Sequence, residues 1–144
     1  MKKTILIADE DASVREALGR VLEEEGYGII LAADSQQAIE RFESGPVDLV
    51  LLDIELPIRD GWDTFERITS HALALPIIVV TGKGNHYDMV MASGIGALME
   101  KPLDVSQLLQ TMQELMAETN EARLHRLCGD GHDTRYFSSQ PADG

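Results

Sequence analysis

The stretch DLVLLDIELPIRDGWD, residues 48–63, decides the fold. Its four branched apolar residues, 49–52, form a run that is typical of a strand buried on both faces of a parallel sheet. Asp53 ends this run, and Pro57 and Gly61 interrupt the residues that follow. The stretch therefore predicts a core strand that finishes in a carboxylate, a residue that needs a functional reason to stand there.

Similar apolar runs occur on both sides of this stretch and alternate with helical patterns. This alternation predicts a doubly wound α/β domain, because strands that alternate with helices form a parallel sheet with right-handed crossovers and helices on both faces. Together with the run ending near Asp53, the predicted strands number five and cover residues 4–8, 28–32, 47–52, 76–80 and 95–99. The five predicted helices lie before Gly26, before Gly45, after Gly61, around 86–93 and from Asp104 to about Met116.

The starts of three helices carry capping signals. Ser13 and Glu16 have capping-box spacing before the first helix, and among the acids that precede this helix Asp11 is the favoured cap. Asp34 is a candidate cap for the second helix, and Asp104 resembles a capping residue for the fifth. These residues predict where each helix begins.

Composition and charge exclude several classes of function. The chain has 44% hydrophobic and 26% charged residues, which is ordinary for a soluble globular protein, but its net charge is −13. That charge opposes direct binding to nucleic acid. The single cysteine forbids an internal disulfide, and the longest apolar stretch, 73–80, is too short to span a bilayer. A cytoplasmic protein with no membrane segment is expected.

Polar residues follow the predicted strands at the edge of the sheet where ligands bind in open α/β folds. Asp9 and Glu10 follow the first strand, and Asp53, Thr81 and Lys101 follow or end the third, fourth and fifth. Acids from different strands repel one another unless a hard divalent cation such as Mg²⁺ neutralises them. With that cation a carboxylate can act as a nucleophile toward a phosphoryl group, whose oxygens a threonine and a lysine could hold.

This order of residues resembles the receiver domain of bacterial two-component response regulators, over about residues 3–118. The resemblance implies a flavodoxin-like (βα)5 fold with the strand order 2-1-3-4-5. We divide the chain accordingly into a receiver domain, residues 1–118, and a helical extension with a mobile tail, residues 119–144.

The resemblance also implies a set of metal ligands. Asp9 and Glu10 would organise Mg²⁺ (or Mn²⁺), one of them through water. Asp53 and the backbone carbonyl of Glu55 would complete the protein ligands.

The same resemblance assigns the phosphoryl chemistry. Asp53 would be the phosphoacceptor, Thr81 would contact the phosphoryl group and reorient, and Lys101 would pair with a phosphoryl oxygen. Pro102 is expected to follow a cis peptide bond. Apart from its own phosphorylation and dephosphorylation, no enzyme activity is expected.

A signalling function is implied. A sensor histidine kinase or a phosphotransfer protein would supply the phosphoryl group, and the surface around strands 4 and 5 would then control a downstream protein target. Dimerisation is compatible with this function. The alternatives are a receiver module taken from a longer regulator, a degenerate module that binds partners without phosphorylation, a flavin-binding electron carrier and an aspartate-nucleophile phosphatase.

Three positions depart from the usual family pattern or bear on the phosphoryl lifetime. Leu98 stands where the family commonly has an aromatic residue that takes part in the switch. Glu55 and Lys83 would flank the site entrance, and their opposite charges could pair and lengthen the phosphoryl lifetime.

Overall fold

A computed structural model of the chain describes residues 2–55, 61–72, 75–82, 97–118, 121–122 and 135–137. These residues belong to two compact units, divided between Leu75 and Pro76. The elements of the first unit are β1 (Thr4–Ala8), α1 (Ala12–Glu24), β2 (Gly28–Ala32), α2 (Ser35–Ser44), β3 (Leu49–Asp53) and α3 (Gly61–His71). Those of the second are β4 (Ile77–Thr81), β5 (Ala97–Glu100), α4 (Val105–Ala117) and β6 (Arg135–Phe137).

Strand β1 lies at the centre of the sheet in the first unit. It pairs in parallel with β2 on one side and with β3 on the other, so that Ile7 faces Leu31 and Leu51 in register. All residues of β3 are buried, including the acid that ends it. The apolar run 49–52 is thus a core strand, as predicted.

The third strand begins at Leu49, two residues later than predicted, and Asp48 lies just before its start. The Asp48 carboxylate accepts a hydrogen bond from the Thr4 backbone N–H at 2.7 Å. The Asp48 N–H in turn donates to the Thr4 carbonyl at 2.8 Å. This reciprocal pair joins the beginnings of β1 and β3.

Asp11, rather than Ser13, caps helix α1, so the predicted capping box is wrong. The Asp11 carboxylate accepts hydrogen bonds from the backbone N–H groups of Ser13 at 2.9 Å and Val14 at 3.3 Å, and the helix begins at Ala12. The other two predicted caps are confirmed. Asp34 and Asp104 each accept a hydrogen bond from the backbone N–H three residues later, at 2.8 and 3.1 Å.

Helix α1 ends in a Schellman motif that requires a left-handed residue. The Gly26 N–H donates to the Glu23 carbonyl at 3.0 Å, and the Tyr27 N–H donates to the Leu22 carbonyl at 3.1 Å. Gly26 has a φ of 96°, a backbone conformation that a side chain disfavours.

We expect Gly26→Ala to lower the free energy of unfolding by about 1 kcal/mol, because alanine in this conformation brings its Cβ too close to the backbone. Gly45→Ala is the matched control. An added Cβ would meet nothing within 4 Å at either position, but Gly45 has an extended φ of −179°. The control should leave stability unchanged or raise it by about 0.5 kcal/mol. Equal losses in urea unfolding would contradict the strain at Gly26.

The second unit has the strand order β4-β5-β6, and both of its strand pairs are parallel. The sequence does not predict β6, which pairs with β5 so that Tyr136 faces Leu98 in register. The division of the chain at residue 118 remains a prediction. The predicted helix at 86–93 lies outside the described residues.

Helix α4 buries one face, whose residues are Leu108, Thr111, Met112 and Leu115. Val105 is apolar but 40% exposed, because it is the first residue of the helix and precedes the buried turns. Among the described helices, none is long and apolar enough to cross a membrane.

Candidate functional site

Two buried carboxylates lie side by side at the carboxyl edge of the first unit's sheet. The register of β1 with β3 pairs Ala8 with Leu52, so the next residues, Asp9 and Asp53, are neighbours on strands that run about 4.8 Å apart. Asp9 is 3% exposed and Asp53 is 2% exposed. Buried carboxylates on neighbouring strand ends repel each other, and a bound cation would reduce that repulsion.

Both carboxylates are held by the turn that follows their strand. The Asp11 N–H donates to Asp9 Oδ1 at 2.9 Å, and the Glu55 N–H donates to Asp53 Oδ1 at 2.8 Å. Each bond spans two residues, which is the pattern of an Asx turn. The carboxylates are thus oriented by backbone groups, and Glu55 is brought next to Asp53.

The loop from Asp9 to Asp11 is fixed by further bonds to its backbone. The Asp9 N–H donates to the Ala32 carbonyl of β2 at 3.1 Å. Arg15 Nη1 donates to the carbonyls of Asp9 at 2.7 Å and Glu10 at 3.4 Å. Sequence reasoning missed Arg15, although a cation near the start of a helix opposes the helix dipole and signals another role.

The two predicted glutamates occupy different environments. The Glu10 side chain is exposed, and Glu55 is half-buried. Within the part of the chain that the structure describes, no three His, Cys, Asp or Glu side chains group closely enough to hold a metal ion. The side-chain donors that the first unit offers at this edge are the two buried carboxylates of Asp9 and Asp53.

That donor set fits Mg²⁺. This ion prefers oxygen ligands, usually binds through one or two carboxylates, and keeps several waters. Asp9 and Asp53 supply two carboxylates on neighbouring strand ends, and the Glu55 backbone lies in the same turn as Asp53. The residues of the first unit can thus hold such an ion.

In the second unit, Thr81 and Lys101 are brought together. Thr81 ends β4 and is 0% exposed, and the Lys101 N–H donates to its carbonyl at 2.9 Å. The Lys101–Pro102 peptide bond is cis, as predicted. Both residues therefore stand at the carboxyl ends of their strands, where the sequence placed them.

Leu98 lies within β5 and is 0% exposed. Its register partner on β4 is Val79. This position is thus part of the apolar core of the second unit. Lys83, the predicted partner of Glu55, lies outside the described residues. The pairing of Glu55 with Lys83, and its effect on phosphoryl lifetime, therefore remains a prediction.

Comparison with known families identifies the class of this chain. Residues 5–113 match the family model described as the response regulator receiver domain. The chain belongs to this family.

Curated relatives agree with this assignment. The chain is 35% identical to the transcriptional regulatory protein DltR of Streptococcus agalactiae, over 90% of this chain and 62% of that protein. It is 36% identical to the response regulator GtcR of Aneurinibacillus migulanus, over 78% of this chain and 47% of that protein. The chain thus spans only about half to three-fifths of the length of these two relatives.

Solved structures confirm the fold. A CheY-like response regulator receiver domain protein from Methanospirillum hungatei is 28% identical, with a TM-score of 0.78 over 85% of this chain and 98% of that chain. TrrA from Thermotoga maritima, solved in complex with Mg²⁺ and BeF, is 30% identical, with a TM-score of 0.73 over 78% of this chain and 98% of that chain. The predicted doubly wound α/β fold with five parallel strands in the order 2-1-3-4-5 is confirmed.

Proposed function

We propose that this protein receives a phosphoryl group on Asp53 from a histidine kinase or a phosphotransfer protein, in a reaction that requires Mg²⁺. The observation that carries the proposal is the pair of buried carboxylates, Asp9 and Asp53, on neighbouring strand ends. Membership of the receiver family supports it. So does the complex of the relative TrrA with Mg²⁺ and BeF.

The chemistry assigned to Asp53 is nucleophilic. One carboxylate oxygen forms a bond to the phosphorus atom while the bond from phosphorus to the donor's nitrogen, or to its acyl oxygen, breaks. The Glu55 N–H bond to Oδ1 orients the carboxylate for this attack. When bound, Mg²⁺ supplies positive charge that reduces the repulsion between the carboxylates and the phosphoryl oxygens.

Asp9, Asp53 and the Glu55 backbone carbonyl would hold the ion, with Glu10 acting through water. Glu10 receives the water-mediated role because its side chain is exposed, whereas the Asp9 side chain is buried.

The proposal gives Thr81 and Lys101 the roles that the family resemblance implies. The Thr81 hydroxyl would contact the phosphoryl group and reorient, and the Lys101 ammonium would pair with one of the phosphoryl oxygens. Because Lys101 also bonds to Thr81 through the backbone, a movement at either residue is transmitted to the other. The output surface would then lie around β4 and β5, and the protein would act on no other substrate.

The downstream target is a protein in this proposal, and the site of action is the cytoplasm. The net charge of −13 favours a protein target over direct contact with nucleic acid. The second candidate is a receiver module of a longer transcriptional regulator. It is favoured by the name of the relative DltR, of which the chain spans 62%.

Removal of Mg²⁺ tests the proposed chemistry. Incubated with a small acyl phosphate and Mg²⁺, the protein should gain the mass of one phosphoryl group, as read by intact mass spectrometry. With excess EDTA the rate should fall by at least about 100-fold, because the carboxylates then repel the donor. Mn²⁺ added in excess of the EDTA should restore uptake, since it accepts the same oxygen ligands. If the protein gains no mass with Mg²⁺ present, the proposal is wrong.

A further inference from the structure

We propose that Arg15 is a positioning residue for the Mg²⁺ site, which it preorganises through the backbone of Asp9 and Glu10. This inference rests on the proposed function, because it concerns the ion that the function requires. Arg15 itself would touch neither the ion nor the phosphoryl group. It would act on the residues that do.

The contacts of Arg15 single it out among the cations of α1. One guanidinium nitrogen, Nη1, donates to two successive carbonyls, those of Asp9 at 2.7 Å and Glu10 at 3.4 Å. Arg15 is half-buried, and its backbone N–H also closes the first turn of the helix on the Asp11 carbonyl at 2.9 Å. Arg15 thus ties the helix to the loop that precedes it.

The loop needs such a tie, because Asp9, Glu10 and Asp11 are three successive acids. Their mutual repulsion favours a spread conformation whenever no cation is bound. Asp9 and Asp11 have other bonds that hold them: the Asp9 N–H donates to the Ala32 carbonyl, and the Asp11 carboxylate accepts from the Ser13 N–H. For the Glu10 carbonyl, the bond from Arg15 is the one that the described residues provide.

The hydrogen bonds of Arg15 go to main-chain oxygens and not to carboxylates. This choice matters, because an arginine bound to the carboxylates would compete with the metal for the same oxygens. Bound to the carbonyls, it restrains the loop and leaves the carboxylate chemistry to the ion. Groups that orient metal ligands in this way typically change metal affinity by about 10- to 100-fold when they are mutated.

The positive charge of Arg15 gives the test its direction. Electrostatics alone would make Mg²⁺ bind more tightly once a nearby cation is removed, since like charges repel. Loss of positioning has the opposite effect, because the loop must then be ordered at the expense of binding free energy. Weaker binding in a variant without the charge can therefore be assigned to positioning.

The experiment measures Mg²⁺ affinity by calorimetric titration of the unphosphorylated protein. Arg15→Met keeps most of the aliphatic chain and removes the donors, and we expect the Kd to rise about tenfold. Arg20→Met is the matched control, because Arg20 is an exposed arginine of the same helix. It lines a groove with Glu16, Glu23 and Ile29. The control should bind Mg²⁺ as the wild type does, or slightly more tightly.

A second readout separates positioning from a general structural defect. In phosphorylation by an acyl phosphate, Arg15→Met should need more Mg²⁺ for half-maximal rate, whereas its rate at saturating Mg²⁺ should stay within about twofold of wild type. If Arg15→Met does not fold, Arg15→Lys carries the test. We expect its Kd to rise about threefold, because lysine keeps the charge but lacks the planar fork of donors.

Several outcomes would overturn the inference. Unchanged or tighter Mg²⁺ binding in the folded Arg15 variant would do so while leaving the proposed function intact, provided that the wild type binds the ion. An equal loss in Arg20→Met would show that a general effect of substitution in α1, and not the loop contact of Arg15, is responsible. A wild type that binds no Mg²⁺ would overturn both this inference and the metal requirement of the proposed function.

Discussion

Replacing Asp53 with asparagine is expected to abolish phosphoryl uptake from a small acyl phosphate, even at saturating Mg²⁺. The amide keeps the size of the side chain, and its oxygen can still accept the Glu55 N–H bond that Oδ1 accepts at 2.8 Å. It cannot act as a nucleophile, because it carries no negative charge on oxygen. Intact mass measurement should therefore show no added phosphoryl group in Asp53→Asn, whereas most of the wild type gains one.

Asp48→Asn is the matched control, with the same substitution just before the other end of the same strand. Asp48 bonds to the Thr4 backbone through a carboxylate oxygen at 2.7 Å, which an asparagine oxygen can replace. This variant should gain the phosphoryl group at a rate within about twofold of wild type. Uptake by Asp53→Asn at the wild-type level would place the phosphoryl group on another residue and contradict the assignment of Asp53.

The core of the first unit could be predicted from the sequence because its strands are buried on both faces. Burial on both faces demands continuous apolar runs, and such runs appear at Thr4–Ala8 and before Asp53. The sequence marks the ends of the strands less clearly, because side chains there can form hydrogen bonds to the neighbouring strand in place of backbone groups. β3 begins at Leu49, and the carboxylate of Asp48, just before it, bonds to the Thr4 N–H at the start of β1.

The acids of the candidate site were predictable because parallel strands bring their carboxyl ends to one edge. Asp9 and Asp53 needed only the strand assignment and the adjacency of β1 and β3 to become neighbours. Arg15 was not predictable in this way. Its role depends on a long side chain folding back onto carbonyls of the preceding loop, and no residue pattern encodes that rotamer.

Strand β6 was missed, and the capping box predicted at Ser13 was wrong, for other reasons. A strand of three residues, Arg135–Phe137, is too short for any period to be read. At α1, both Asp11 and Ser13 are good caps, and the choice depends on which carboxylate or hydroxyl reaches the first N–H groups. Asp11 reaches two of them, at 2.9 and 3.3 Å.

The prediction with the largest effect on stability concerns Leu22, which anchors the last turns of α1 in the core of the first unit. Its side chain is 0% exposed, so truncation removes apolar contacts and leaves a cavity. We expect Leu22→Ala to lower the free energy of unfolding by about 2–5 kcal/mol. A loss of this size is a large part of the total stability of a typical domain, about 5–15 kcal/mol. Urea unfolding followed by circular dichroism measures it.

Glu24→Ala serves as the control for Leu22→Ala, because it places the same residue on an exposed position of the same helix. Alanine has the higher helix propensity, and an exposed side chain loses little when it is truncated, so the change should stay within about 0.5 kcal/mol. The comparison separates the effect of burial from the effect of helix propensity, since both variants add one alanine to α1. A loss below about 1 kcal/mol in Leu22→Ala would mean that α1 packs less tightly on β1 and β2 than the burial of Leu22 requires.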